Sequence, residues 1–225
     1  MSDPASTQGV LPAEFYARDT VTVARELLGC VLVSTAGGVT TSGRIVETEA
    51  YLGSDDAGSH AATKGMTARN SVMYGPPGRA YVYFTYGNHH MLNFVTEPDG
   101  TAGAVLIRAL EPIDGLAEMR SRRAAGRRGH TPPADRDLTN GPGKLAAALG
   151  IDLNTNGTGL DGSATLSVLE AQPGERGDRT VARSGRIGLS SGHEAELRFY
   201  FEGNEHVSKG SPGPRRPAAP RDREA

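Results

Sequence analysis

The sequence predicts an α+β domain in which helices flank a curved, mainly antiparallel β-sheet. Three observations predict it. Strand-like runs outnumber helical ones and mostly follow one another. Two of these runs, Arg79 to Tyr86 and Met91 to Thr96, are joined by a short turn containing Gly87 and Asn88. A third, Thr40 to Leu52, alternates along its length. At 225 residues the chain is long enough for one domain with its own core.

Residues 1–12 lack periodicity and are expected to form a disordered tail. The domain is assigned to 13–207. Residues 208–225, rich in Pro, Arg, Ala and Gly, are expected to form a second disordered tail. Asp19 reads as the N-cap of a helix from Thr20 to Leu28, stopped by Gly29. Cys30 to Ser34 reads as a buried strand. In the longer strand, alternation puts Ile45, Glu47, Glu49 and Tyr51 on one face. Val46, Thr48, Ala50 and Leu52 lie on the other, which is the core face. The first face therefore presents two acids and a ring to solvent or to a cleft. Gly53 to Pro77 reads as loop with one turn of helix. Ala104 to Glu111 is a further strand, and Ile113 to Ala125 a helix opening after Pro112. Asn140-Gly141-Pro142-Gly143-Lys144 starts a helix that runs to Leu149 and closes at Gly150. The remaining strands are Thr165 to Leu169, Thr180 to Ile187 and Leu197 to Glu202.

A net charge of −2 and a pI near 6.3 argue against a protein that coats nucleic acid by bulk positive charge. They leave a local basic face open. Between Glu118 and Arg136 six arginines stand against two acids, as a solvated loop or as a phosphate-facing edge. No apolar run approaches the ~20 residues that span a bilayer. No basic segment followed by an apolar core opens the chain. A cytoplasmic location without membrane contact is expected. The single cysteine, Cys30, reads as a core residue.

The chemistry concentrates between Arg44 and Asn93. The chain is only 5% aromatic and has no Trp, yet five of its seven tyrosines fall between positions 51 and 86. That suits a site that stacks flat rings beside an acid. Glu47 and Glu49 form a solvated face, or one of them is a general base or nucleophile at a sugar carbon, held in place by its strand. Tyr81 and Tyr83 share one strand face, Phe84 and Tyr86 the other. Tyr86 sits where the hairpin turns, poorly placed for a core and well placed to push into something. The histidines show no metal pattern: His89 and His90 point to opposite faces, and His60 lies in a loop. No metal and no cofactor are expected. The amides around Gly143, with Lys144, are a plain helix cap or a receiver for one backbone phosphate. Two other readings stay open. One is an enzyme on a different glycoside, using Glu47 and Glu49 as a pair roughly 6–7 Å apart. The other is a nucleic-acid-binding module without catalysis.

Glu49, Tyr51, His60, Tyr83, Tyr86, Asn93 and Arg108 together resemble the alkyladenine DNA glycosylase family, the 3-methyladenine DNA glycosylases of the non-helix-hairpin-helix type. The likeness runs from about Phe15 to Phe201. It is strongest in Arg44-Ile-Val-Glu-Thr-Glu-Ala-Tyr-Leu-Gly, Ala68-Arg69-Asn70, Tyr81-Val-Tyr, Tyr86-Gly, Leu106-Ile-Arg-Ala-Leu-Glu-Pro112 and Asn140-Gly-Pro-Gly-Lys-Leu. The resemblance implies a single mixed domain whose protruding β-hairpin enters the minor groove of damaged double-stranded DNA. Tyr86 would fill the gap left by an extruded nucleotide. Tyr51 and Tyr83 would sandwich the flipped base, His60 would contribute to the pocket wall, and Asn93 would line the floor and disfavour guanine. Glu49 would activate the attacking water and Arg108 would help hold it. Arg69 and Lys144 are candidates for the DNA backbone. The enzyme would act as a monomer on alkylated or deaminated purines in base excision repair. A strand-cleaving glycosylase needs an amine nucleophile. Of Lys64, Lys144 and Lys209, none lies on the acid strand, so an abasic product is expected. The turn Gly87-Asn88-His89-His90 is less apolar than in some relatives, which puts the pocket's breadth in question.

Overall fold

The alternating run folds into the strand that organises the rest. In the computed structural model, β2 (Thr41–Tyr51) has partners on both edges. β5 (Ala104–Asp114) runs antiparallel along one edge, from Ser42 opposite Asp114 to Tyr51 opposite Ala104. The other edge is divided. β1 (Val31–Ser34) pairs with its first part and β8 (Arg198–Phe201) with its second. The sheet forks there. β6 (Leu166–Leu169) extends β1, and β7 (Val181–Ser184) extends β8. Beyond β5 lie β4 (His89–Val95) and β3 (Ala80–Thr85), which form the predicted hairpin. The result, among the described residues, is one open, antiparallel sheet of eight strands. The described residues are 9–59, 61–62, 65–85, 87–125, 133–172, 174–177 and 179–213.

Four helices among those residues cover the sheet: α1 (Ala13–Tyr16), α2 (Thr20–Glu26), α3 (Leu116–Ala124) and α4 (Pro142–Leu149). The Asp19 carboxylate accepts from the Thr22 N–H at 2.8 Å and caps α2 as the sequence predicts. α2 packs on β2 and β5, α4 on β4 and β5, and α3 on α4. Leu27, Leu32, Val46, Phe94, Ile107 and Leu149 are fully buried between these layers. A second apolar cluster, including Met73, Tyr81, Val95 and Ala104, packs against Tyr51 and Tyr83. No helix among the described residues is long and apolar enough to cross a membrane.

Several expectations are corrected. β5 runs through Pro112, and the helix begins only at Leu116. Pro112 sits opposite Gly43, beside a register shift at Ser42/Gly43, where a missing N–H donor is tolerated. The break falls at Gly115, whose φ is +74° and where a Cβ would lie 2.5 Å from the Thr40 carbonyl oxygen. The strand read as Thr180 to Ile187 ends at Ser184. The face assignment on β2 holds for Val46 and Ala50 but not at its ends. Register shifts on either side of Glu47 let Ile45 join Val46 in the core, while Leu52 is 41% exposed. Packing reaches beyond both ends assigned to the domain. Val10 bridges Leu169, Leu11 is buried, Ser208 is buried, and Ile187 bridges Pro212 and Gly213. The basic run is partly internal: Arg122 donates to Glu118 and to the Ala36 carbonyl, and Arg120 pairs with Asp135. Residues 126–132 of that run lie outside the described residues.

Candidate active site

The fork brings β8 alongside the two acids of β2, with Glu47 opposite Tyr200 and Glu49 opposite Arg198. Neither carboxylate reaches solvent; both residues are 0% exposed. Their surroundings differ. Glu47 accepts from Arg198 Nε at 2.6 Å, Arg108 Nε at 3.0 Å, Ser208 Oγ at 2.8 Å and the Ser208 backbone N–H at 2.7 Å. An ionised carboxylate offers about four acceptor positions, two on each oxygen; three of the Glu47 donors share Oε1 and only the Ser208 N–H reaches Oε2. Arg108 also donates Nη2 to Ser208 Oγ at 3.2 Å, closing a ring of three side chains.

Glu49 is held by three groups. Tyr51 donates its hydroxyl to Oε2 at 2.8 Å, the Ile187 N–H donates to Oε1 at 2.8 Å, and Arg108 Nη1 lies 3.2 Å from Oε1. About one acceptor position is left over. The three partners, unlike the carboxylate itself, line a groove of about 1130 Å³ that Tyr83 also borders. Glu49 therefore stands one side chain behind the groove wall. Burial pushes the Tyr51 phenol well above its ordinary value, and the Glu49 charge adds to it. Burial works against the Arg108 cation, but Glu49 and Glu47 outweigh it and raise its pKa.

Beside this groove is a slot of about 60 Å³ bordered by Tyr51, Tyr81, Tyr83, Asn93 and Met73. Tyr81 and Tyr83 contact each other with centroids 5.4 Å apart, as their shared strand face predicts. The Asn93 amide donates to the Tyr81 carbonyl at 3.1 Å, which fixes the side chain's orientation. Each outer tyrosine meets a cation. The Arg186 guanidinium carbon lies 4.7 Å from the Tyr51 ring centroid, and that of Arg69 lies 5.1 Å from the Tyr83 centroid. Arg186 is fully buried, donates to the Ala50 and Gly192 carbonyls and forks onto Asp56. Burial would raise the Asp56 pKa; the Arg186 hydrogen bonds outweigh it and hold the carboxyl below its usual range.

Of the predicted residues, Glu49, Tyr51, Tyr83, Asn93 and Arg108 come together here. Lys144 lies on the groove wall and donates to Asn140 at 2.6 Å. Arg69 is exposed, donates to the Phe84 carbonyl at 2.8 Å and thereby braces the hairpin. His89 borders the groove while the His90 ring packs at a tilt against Phe84, centroids 5.0 Å apart, on opposite faces of β4 as predicted. His60, Lys64 and Tyr86 lie outside the described residues. Sequence reasoning missed Arg198, Ser208, Asp56, Arg186 and the Ile187 N–H. The first four carried a usable signal only as polar residues near apolar runs. The last, being backbone, carried none.

A carboxylate with one open acceptor position, set behind a slot of tyrosines, has the make-up of a hydrolytic site for a flat-ringed group. The methylpurine-DNA glycosylase family profile matches residues 14–205. A candidate 3-methyladenine DNA glycosylase of Carboxydothermus hydrogenoformans is 46% identical over 200 residues, covering 89% of this chain and 99% of that relative. Its counterpart in Methanoculleus marisnigri is 47% identical, covering 88% and 98%. That of Salinibacter ruber is also 47% identical, covering 90% and 98%. The chain belongs to the methylpurine-DNA glycosylase family, hydrolases acting on N-glycosyl bonds.

Proposed function

We propose that this protein is a monofunctional DNA glycosylase. It flips alkylated or deaminated purines out of duplex DNA as a monomer and hydrolyses the N-glycosidic bond, leaving an abasic site. One observation carries the reading: Glu49 accepts from the hydroxyl of Tyr51, which borders the slot with Tyr83, and keeps an acceptor position on that same oxygen, Oε2, whereas Glu47 is pinned between Arg108 and Arg198. A base inside a duplex hides its glycosidic bond, and extruding it costs about a few kcal/mol. Stacking on Tyr51 and Tyr83 offsets this by ~1–3 kcal/mol per base. Tyr86 at the hairpin turn fills the vacated stack, and His60 completes the pocket wall. Lys144, and Arg69 beside the hairpin, take backbone phosphates.

In the reaction, water enters beside Tyr51 and Arg108 and gives a proton to the open position on Glu49. Its oxygen bonds to the sugar C1′ as the C1′–N electron pair leaves with the base. The Glu49 charge also stabilises positive charge developing on the sugar. A purine alkylated at N3 or N7 is cationic and departs neutral, so the pocket needs chiefly to hold an electron-poor ring and to prime water. Lys144 is engaged with Asn140, and neither it nor Lys209, which also lines the groove, borders the tyrosine slot, which supports hydrolysis over attack by an amine. The pinning of Glu47 between Arg108 and Arg198 counts against a two-carboxylate glycosidase.

The test is release of 3-methyladenine from a duplex against release from the free nucleoside. Release from the duplex alone, with an alkali-labile abasic strand as product, is the expected result. Equal release from both would replace this reading with that of a nucleosidase. Should Glu49→Gln leave all activity intact, the protein is a binding module.

A further inference from the structure

We propose that Arg69, together with Arg186, sets the charge preference of the slot by pressing a cation against the outer face of each outer tyrosine. The inference rests on the glycosylase reading above. Both guanidinium carbons lie within the ~6 Å range of a cation–π contact, at 5.1 Å from Tyr83 and 4.7 Å from Tyr51. Tyr51 and Tyr83 border the slot and the groove, and neither guanidinium does. One face of each ring is therefore covered by a cation, and the slot meets what that face leaves open.

A cation on one face of a ring draws π density toward itself. Less is left for a second cation on the opposite face, and the two cations also repel each other directly. The paired carboxylate of Asp56 offsets the charge of Arg186. Arg69 pairs with no carboxylate among the described residues, so only a DNA phosphate, common to every lesion, offsets its charge. The slot's tyrosines by themselves favour cationic, N-alkylated purines. Arg69 moderates that preference and leaves neutral damaged purines able to compete. It also bears on departure. When the C1′–N pair leaves with the base, the base's charge falls by one, from cation to neutral or from neutral to anion. A positive charge behind the ring favours that change for either lesion, while it weakens only the cation's initial hold.

The experiment compares two lesions of nearly the same shape. One duplex carries 7-methylguanine, a cation. The other carries 7-methyl-7-deazaguanine, which is neutral. Dissociation constants are measured in the Glu49→Gln background, where the base stays attached. Arg69 is exposed, so Arg69→Met should fold, and a melting curve checks it. Adding Arg69→Met should move the affinity ratio toward the cationic lesion by about threefold to tenfold. Arg69→Lys keeps the charge and should hold the ratio within about twofold of the parent. Any phosphate contact made by Arg69 is common to both duplexes and cancels in the ratio. A ratio unmoved by Arg69→Met, or moved toward the neutral lesion, overturns the proposal. Continued release of 7-methylguanine by Glu49→Gln would instead overturn the glycosylase reading beneath it.

Discussion

At Glu47, four donors converge on two carboxylate oxygens; two residues further along the same strand, three donors converge on Glu49. Both side chains are fully buried and both face Arg108. Burial therefore does not distinguish them; their partners do. Glu47 is pinned between the guanidiniums of Arg108 and Arg198 and holds other groups in place. Glu49 pairs with Arg108 and lies against Tyr51 of the slot, where it can take a proton from water. The Glu47 cage joins β2, β5, β8 and the chain beyond Val207, and it sets Arg108 so that only Nη1 points at Glu49. The second acid of the predicted pair is the support on which the first one works.

The largest test of this difference is substitution of each acid by its amide. Glu49→Gln should lower base release by about 10²–10⁴-fold while leaving a folded protein, because Arg108 keeps its hold on Glu47. Glu47→Gln should act in the reverse order. Breaking a buried, multiply bonded ion pair costs about 3–5 kcal/mol. For a chain of this size the melting temperature should fall by about 10 °C or more. Single-turnover release assays and calorimetry on the two variants read both quantities. If Glu47→Gln melted like the parent yet lost release as completely as Glu49→Gln, the cage would be chemistry and the comparison would collapse.

The sequence made the slot more legible than the cage. Tyr51 and Tyr83 were visible because tyrosines clustered beside an acid strand, and Asn93 came in only through the family resemblance; the hairpin sets Tyr81 opposite Asn93. The helix at Pro142 and its stop at Gly150 were visible from local turn chemistry. The cage depends on contacts 151 and 161 residues apart, Arg198 and Ser208 on Glu47, and such contacts leave no periodic trace. The faces of β2 were misread at their ends for a related reason. Alternation assumes a regular ladder, and the shifts around Glu47 appear only once β5 is in register. Ser208 was assigned to a tail because its neighbours are Pro, Gly and Arg, although its hydroxyl and amide both face a buried acid.

pH separates the slot's ring from the ion pair behind it at a smaller scale. Burial pushes the Tyr81 phenol up to about 12, with Arg69 working against it. Its folded value lies above its unfolded value of 10.0, so its contribution is whole below pH 10 and is lost as pH rises toward 12. That loss is on the order of 2–3 kcal/mol. Tyr81→Phe should flatten the alkaline arm of the stability curve. Asp56 has the opposite sign. Its folded pKa is depressed below 3.8, so its contribution is present above that value and is lost as pH falls through the folded one. Asp56→Asn should melt earlier than the parent at neutral pH and converge with it in strong acid. Tyrosine fluorescence follows both, since the chain has no Trp. An alkaline arm unchanged by Tyr81→Phe would mean that the slot is wetter than its packing indicates.

The smallest effect probes how the cage is shared. Ser208→Ala removes the hydroxyl that donates to Glu47 and accepts from Arg108, but keeps the backbone N–H on Glu47. The cost should be about 1–3 kcal/mol, below that of Glu47→Gln, because one of four donors is lost rather than the acceptor itself. Cutting the chain after Val207 removes the N–H as well and should approach the Glu47→Gln value. The two losses should not add in the Glu47→Gln/Ser208→Ala double variant, since the hydroxyl and carboxylate stabilise the same contact. Full additivity would make Ser208 an independent surface clasp, and the orientation of Arg108 would then have to come from Arg198 and Glu47 alone.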